Sequence, residues 1–234
     1  MNSTRRTQTF IGAMVLAAAA STGYAGFLSH SLHLYYGLGV LALAAGTSRM
    51  KVKLPGIDGN MSVNLPFLLT AVVSLSTVEA VAITGICTVV QCWPQRDARF
   101  KPQQLLFNLA MMAFASSTAS LVFHSAWLRS TGWSSAVAGL ILTTAALFLG
   151  QTAPVATVIG LSEGRSIAHI WWNLAQLSFP YYVVSAGVTS LMQSVSHRMG
   201  WGVALAVFPV MYASIAPTGC TSAAWLRLRP HRTW

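Results

Sequence analysis

Acidic residues are nearly missing from this sequence. Only four of its 234 residues are Asp or Glu, and charged residues of both signs together make up 8% of the chain. Soluble domains carry about 25% charged residues, so a surface this poor in charge would not keep a folded domain dissolved. Few groups remain for acid–base catalysis, and HExxH and GxSxG motifs and paired aspartates are missing from the sequence. We expect a protein that is not an enzyme; an intramembrane enzyme using Glu79 and a histidine is the weakest alternative.

Cysteine is also scarce, and its positions exclude two further classes. The three cysteines, Cys87, Cys92 and Cys220, form no CxxC pair, which argues against a disulfide framework and a zinc site. The net charge of +10 comes from Lys and Arg scattered between apolar runs without interleaved aromatic residues. This pattern does not indicate a nucleic-acid partner, and no cofactor is expected.

What the chain has in quantity is apolar sequence: 54% of its residues are hydrophobic, and its mean hydropathy is +0.59. A helix needs about 20 apolar residues to cross a bilayer. Runs of about that length predict an all-α polytopic transmembrane bundle of eight spans, or seven if 61–93 does not hold two. The spans are predicted at 9–28, 31–47, 61–76, 77–93, 103–127, 133–160, 169–193 and 200–218. They form one transmembrane domain (9–218) between a cytoplasmic segment (1–8) and a basic cytoplasmic tail (219–234).

The basic residues predict the orientation of these spans. With the N-terminus inside, twelve Lys and Arg fall on the inner side, and only Arg129 and Arg198 fall outside. Such a bias is typical of cytoplasmic loops, so both termini are predicted to be cytoplasmic. The opening STRRTQTF also resembles a twin-arginine export signal, but the spans that follow at once favour an ordinary cytoplasmic anchor.

Polar residues inside the predicted spans are the candidates for a site. Several amides lie toward the cytoplasmic ends of their spans, where they could line an inward-facing cavity or form hydrogen bonds between helices. Glu79 is either an intramembrane carboxylate or an acid at a helix N-terminus. Pro180 would kink the seventh span beside aromatic side chains. The ligand-binding candidates are Asn64, Glu79, Gln91, Asn108, Glu163, Arg165, Asn173, Gln176, Pro180 and Tyr181.

Histidines give only a weak metal candidate. His30 and His33 lie three residues apart, which places them on one helix face, and His124 falls on the same predicted outer side of the membrane. Nothing in the sequence makes the three converge, so no metal site is predicted.

The stretch MKVKLPGIDGNMSVN (50–64) is predicted to be a cytoplasmic turn. Pro55-Gly56 and Asp58-Gly59 are strong turn signals, and Asp58 can hydrogen-bond the local backbone. Ser62 is the expected N-cap of the third span.

Five patches of sequence, taken in order, resemble one family. They are KVKLPGIDGNMSVNLPFLL (51–69), LSTVEA (75–80), VVQCW (89–93), KPQQLLFNLAMMA (101–113), and LSEGRS with WWNL and SFPYY (161–182). The set resembles the membrane-associated sensor (MASE-type) domains that precede GGDEF or HD-GYP modules in bacterial signalling proteins. The last apolar run is followed only by TSAAWLRLRPHRTW, without an output motif, so cyclase or phosphodiesterase activity is not carried over.

The resemblance implies a sensory or regulatory module of the bacterial inner membrane that binds a small molecule or a cytoplasmic partner. Its expected partners are the lipid bilayer, a separate signalling protein and a second copy in a homodimer. The alternative is a small-molecule transport component, comparable to the substrate-binding subunits of vitamin uptake systems, which would depend on a separate transport ATPase.

Overall fold

The computed structural model describes residues 3–28, 34–48, 51–53, 60–62, 64–93, 102–125 and 135–199. Residues 1–190 form one compact unit, and the second unit, 191–234, contributes only the end of the last helix to the described part. The described residues form seven helices and one hairpin. In chain order they are α1 (Ser3–Leu28), α2 (Leu34–Ser48), β1 (Lys51–Lys53), β2 (Asn60–Ser62), α3 (Leu65–Ser74), α4 (Thr77–Cys92), α5 (Pro102–Phe123), α6 (Ser135–Glu163) and α7 (Ile167–Met199).

Three of these helices are long and apolar enough to cross a membrane. The qualifying stretches are Arg5–Phe27 in α1, Pro102–Phe123 in α5 and Val137–Glu163 in α6. Large apolar side chains point away from the protein, including Phe27 at 88% and Tyr35 at 91% exposure. Surfaces of this kind are unstable in water and stable against lipid, so the chain is a helical membrane protein, as the composition predicted.

Each of the seven helices overlaps one of the first seven predicted spans, but their lengths differ from the predictions. Helix α1 begins at Ser3, inside the segment 1–8 assigned to the cytoplasm. Helix α2 has 15 residues and α3 has 10, and at 1.5 Å per residue α3 is roughly 15 Å long, about half of the hydrocarbon thickness. The predicted eighth span (200–218) and the tail (219–234) lie outside the described residues.

Helix α3 forms the core of the bundle. Every residue from Leu65 to Val73 is buried, and a helix that is apolar on all sides is stable only when protein or lipid surrounds it. It ends where Leu75 turns extended, and α4 starts at once with Ser76 as N-cap. The break between the third and fourth predicted segments therefore lies at this Leu-Ser pair.

Hydroxyl groups join α5 to its neighbours α1 and α4. Serine and threonine are small enough to let helices approach, and their hydroxyls satisfy each other where no water is present. The bonded pairs are Ser117 with Ser21 at 2.8 Å, Thr77 with Ser120 at 2.8 Å, and Thr84 with Ser116 at 3.1 Å. Helix α5 also packs along α6.

A short hairpin follows α2, and the other described elements are all helices, so the predicted all-α fold is confirmed. Strands β1 and β2 pair antiparallel, with Lys51 opposite Ser62 and Lys53 opposite Asn60. Because Ser62 belongs to β2, it is not the N-cap of α3, and Asn64 occupies that position. The predicted turn residues, including Asp58, lie outside the described residues.

Candidate functional site

A partly open cavity of about 240 Å³ lies between the start of α3, the end of α4, and parts of α5, α6 and α7. Its described lining residues combine amides, phenols, a thiol and apolar side chains. They are Asn64, Leu65, Leu68, Thr88, Gln91, Cys92, Asn108, Met111, Met112, Gln151, Tyr181 and Tyr182. Four of the ten ligand-binding candidates meet here, namely Asn64, Gln91, Asn108 and Tyr181, which come from four different helices or helix ends.

Asn64 fixes the α3 wall of the cavity to α2. Its side chain does not cap its own helix; instead, Nδ2 donates to Ser48 Oγ at 3.0 Å, and Ser48 Oγ donates to the Ala44 carbonyl at 2.6 Å. Asn64 is only 3% exposed. A buried amide is stable when its polar groups form hydrogen bonds in this way. Asn64 therefore links α3 to α2 and also lines the cavity.

The first backbone N–H groups of α3 are satisfied inside the protein. Leu65 N donates to the Tyr181 hydroxyl at 3.4 Å, and Phe67 N and Leu68 N donate to the Asn64 carbonyl at 3.1 and 3.0 Å. Pro66 has no N–H to satisfy. A helix N-terminus binds anions through free N–H groups, and none of the three N–H groups of residues 65–68 is free to bind an anion in the cavity.

Gln151 and Tyr182 join α6 to α7 across the cavity. The Tyr182 hydroxyl donates to Gln151 Oε1, and the Tyr182 ring packs edge-on against Phe148 at a centroid distance of 5.0 Å. Since Tyr182 is 3% exposed, its hydroxyl depends on this one acceptor. Gln151 Nε2 is buried and has no hydrogen-bond partner among the described residues.

The end of α4 and the start of α5 supply the remaining polar groups. Asn108 Nδ2 donates to Cys92 Sγ at 3.3 Å, a weak bond because thiol sulfur is a poor acceptor. None of the described lining residues carries a formal charge. The described lining can therefore form hydrogen bonds to a ligand from several sides, but it supplies no opposite charge for an ion.

Glu163 and Arg165 lie away from the cavity, at the turn between α6 and α7. They form an ion pair at 3.4 Å, with their side chains 51% and 63% exposed respectively. Gly164 has φ of +67° and Arg165 N bonds to the Gly160 carbonyl at 3.2 Å, which is the arrangement that ends many helices. The sequence Glu163-Gly164-Arg165 is therefore explained by its role in ending α6.

The other candidates on α7 face outward. Asn173, Gln176 and Pro180 are exposed, and Asn173 Nδ2 bonds with His169 Nε2 at 3.3 Å. These positions share one face of the helix, which continues into the apolar Val183 and Val184.

Glu79 is an N-terminal helix acid, the second of the two predicted roles. It completes a capping box on α4: its Oε2 accepts from Ser76 N at 3.1 Å and from Ser76 Oγ at 2.7 Å. It is not among the described lining residues of the cavity.

Of the three histidine candidates, only His124 lies in the described part of the chain. His124 Nδ1 is 2.9 Å from the Ser120 carbonyl of its own helix, and His30 and His33 lie outside the described residues. No group of three or more metal-ligating side chains occurs among the residues that the structure describes.

Two residues of the site were missed in the sequence. Gln151 is the only amide of the predicted sixth span, and this isolation in an apolar run was a usable signal. Tyr182 is adjacent to the predicted candidate Tyr181, but the sequence did not show which of the two tyrosines is fully buried.

Comparison with known proteins adds no identification, because no family model, curated protein or solved structure matches the chain.

Proposed function

We propose that the chain is a non-catalytic sensory or regulatory membrane module that binds a small molecule in the cavity between α3 and α7. The observation that carries this proposal is a cavity at which four amide side chains from different helices or helix ends meet, those of Asn64, Gln91, Asn108 and Gln151. Small-molecule sites typically combine mostly apolar walls with a few polar groups of this kind.

The proposed setting is a bacterial inner membrane with eight spans and both termini in the cytoplasm. The biased distribution of Lys and Arg supports this orientation, and the resemblance to MASE-type sensor domains supports the sensory role. In this arrangement the basic inner loops contact anionic lipids and a separate cytoplasmic signalling protein. A homodimer is the proposed form of the module.

A transport component is the second candidate, and one feature of α3 favours it. This helix is short, buried along its length, and begins at the cavity. Transporters often use interrupted helices of this kind to present a binding site near the middle of the membrane. In that case a separate ATPase or an ion gradient supplies the energy.

Reconstitution separates the two candidates. The full chain is placed in liposomes, and a metabolite panel is tested for raising its unfolding temperature and for uptake into the vesicles. A sensor is stabilised by its molecule without accumulating it, whereas accumulation inside the vesicles identifies a transporter. If no molecule stabilises the protein or crosses the membrane, the cavity is a packing feature and the proposal is wrong.

Reporter fusions test the orientation independently. A fluorescent protein that folds only in the cytoplasm and a phosphatase that is active only outside it are each joined after residue 234 and inside 126–134. The proposed topology predicts fluorescence at the first site and phosphatase activity at the second. The reverse pattern overturns the orientation without affecting the cavity.

A further inference from the structure

One side of α7 is exposed and polar, although this helix belongs to a membrane protein. We infer that this side is the interface between two copies of the chain, whose α7 helices lie parallel and coil around each other. The inference rests on the homodimer of the proposed function and locates its interface, but it does not depend on a ligand in the cavity. We call this side the α7 seam, and its exposed residues are Asn173, Gln176, Pro180, Val183, Gly187 and Ser190.

The composition of the α7 seam is unlike that of a surface that faces lipid. Helix α6 has such a surface, because every exposed residue between 137 and 161 is apolar. These residues are Val137, Ile141, Leu142, Ala145, Leu149 and Ala153. The α7 seam instead holds two amides, a hydroxyl and a glycine. Hydrocarbon offers no hydrogen bonds to amides and hydroxyls, so these positions need protein opposite them.

The opposite side of α7 packs against the bundle and has the same character. Its buried residues are Ala175, Ser178, Tyr182, Ser185 and Thr189. Thr189 Oγ1 donates to the Pro66 carbonyl of α3 at 3.1 Å. Each of the five follows a residue of the α7 seam by two positions, which turns it by about 160° around the helix. Both sides of α7 therefore consist largely of small and polar residues, as helix interfaces within membranes do.

Gln176 brings several hydrogen-bonding groups to the α7 seam. Tryptophans collect at the membrane surface, and Gln176 lies four residues beyond Trp172, about 6 Å further along the helix. Its exposed side chain carries both donors and an acceptor. Because Pro180 lies inside α7 and has no N–H, the main-chain carbonyl of Gln176 also lacks its usual helical partner. Where water is excluded, only another protein surface satisfies these groups.

The α7 seam is complementary to a copy of itself. Two chains inserted in the same orientation hold their α7 helices parallel, and a twofold axis between them places each residue of the seam beside its own copy. A charged residue would repel its copy, but residues 173–190 contain no Asp, Glu, Lys, Arg or His. An amide both donates and accepts, so two Gln176 side chains can bond each other and the carbonyls that Pro180 leaves without a donor. A second copy of the chain is therefore the partner that fits.

The spacing and length of the α7 seam also suit a pair of helices. Its residues are separated by alternating intervals of three and four, which is the 3.5-residue repeat of helices that coil left-handed around each other. From Asn173 to Ser190 the seam extends about 26 Å, close to the hydrocarbon thickness of about 30 Å. The axes of such a pair lie about 8–10 Å apart, so the pairing does not depend on the missing side chain of Gly187.

Cysteine cross-linking in vesicles tests which residues meet their own copies. The full chain is used after Cys87, Cys92 and Cys220 are replaced by alanine, and each variant receives one new cysteine. Gln176→Cys and Val183→Cys should form disulfide-linked dimers on oxidation. Leu149→Cys, on the exposed apolar side of α6, is the control and should remain monomeric on a denaturing gel.

A second measurement keeps the native cysteines. Copies that carry a donor or an acceptor fluorescent protein after residue 234 are mixed in vesicles, and the dissociation constant is obtained from energy transfer as the protein-to-lipid ratio falls. Gln176→Leu removes the reciprocal amide bonds and should weaken the dimer about tenfold. Gln104→Leu makes the same chemical change at an exposed position of α5 and should leave the dissociation constant unchanged.

The outcomes separate this inference from the proposed function. Cross-linking through positions 176 and 183 but not 149, with a dimer that only Gln176→Leu weakens, supports the interface. Cross-linking through position 149 alone, or equal dissociation constants for Gln176→Leu and the unaltered chain, overturns the interface and leaves the homodimer standing. No energy transfer in the unaltered chain overturns both, and the α7 seam then faces lipid or another segment of the chain. Ligand binding in the cavity is decided separately by the metabolite panel.

Discussion

Gly150 on α6 lies in close contact with α5, and Gly150→Ala tests that packing. A Cβ atom added at Gly150 would be 2.9 Å from Ala115 Cβ and 3.0 Å from Ala115 Cα. Carbon atoms in favourable contact are about 3.5–4.0 Å apart, so the helices must separate by roughly 0.5–1 Å. Because one of the two atoms belongs to the backbone of α5, a change of rotamer cannot relieve the clash.

The magnitude follows from two opposing effects. Overpacking a close interface costs about 1–3 kcal/mol, and alanine favours a helix over glycine by about 1 kcal/mol. Gly187 on α7 provides the matched control, because a Cβ atom there would meet nothing within 4 Å. Gly187→Ala should therefore raise the free energy of unfolding by about 1 kcal/mol, and Gly150→Ala should fall about 1–3 kcal/mol below that control.

Unfolding by dodecyl sulfate in mixed micelles, followed by circular dichroism, measures both variants under the same conditions. Gly150→Ala should also weaken ligand binding, because Gln151 is its direct neighbour and moves with α6. If the two alanine variants are equally stable, α5 and α6 do not pack as closely as described, and the reasoning is refuted.

Further predictions concern the polar contacts. A double-mutant cycle of Thr84→Val with Ser116→Ala should give a coupling of about 0.6 kcal/mol by the same unfolding assay, since their hydroxyls are 3.1 Å apart between helices; a coupling of zero contradicts this bond. Ser76→Ala should cost about 1 kcal/mol, because it removes the N-cap of α4 and its bond to Glu79, and an unchanged midpoint speaks against the capping box. Arg165→Gln should not change the rise in unfolding temperature caused by a stabilising molecule of the metabolite panel, because the Arg165 side chain is 63% exposed and paired with a neighbouring carboxylate at the α6–α7 turn; a smaller rise would place Arg165 in the site.

The sequence predicted the helices and part of the cavity. Lengths of apolar sequence locate helices in a membrane protein, and the positions of Asn64, Gln91 and Asn108 near the same predicted end of their spans were enough to bring them together. The length of α3 was not predictable in this way, because its flanking residues 61–64 are also mostly apolar or neutral. The hairpin was missed because strands of three residues leave almost no periodic signal.

The orientation of each helix about its own axis was the harder property to predict. Residues five apart on a helix point about 140° away from each other, so Tyr181 can face the cavity while Gln176 is exposed. In a soluble protein the apolar stripe would show which side faces inward. Here both lipid and core are apolar, so the sequence of α7 carries little of that information.

Side-chain contacts connect α7 to the rest of the bundle, and several of them lie at the cavity. Between the described helices, the backbone of α7 packs less extensively against any neighbour than the backbone of α5 packs against α6. Instead, side chains connect it to the bundle: Tyr182 to Gln151, Tyr181 to Leu65 N, and Trp171 Nε1 to Thr152 Oγ1 at 3.2 Å. Two of these three connections are made by residues that line the cavity. A molecule in the cavity lies against the side chains that hold α7, so occupancy of the cavity and the position of this helix are thermodynamically linked to the extent that the bound molecule prefers one position.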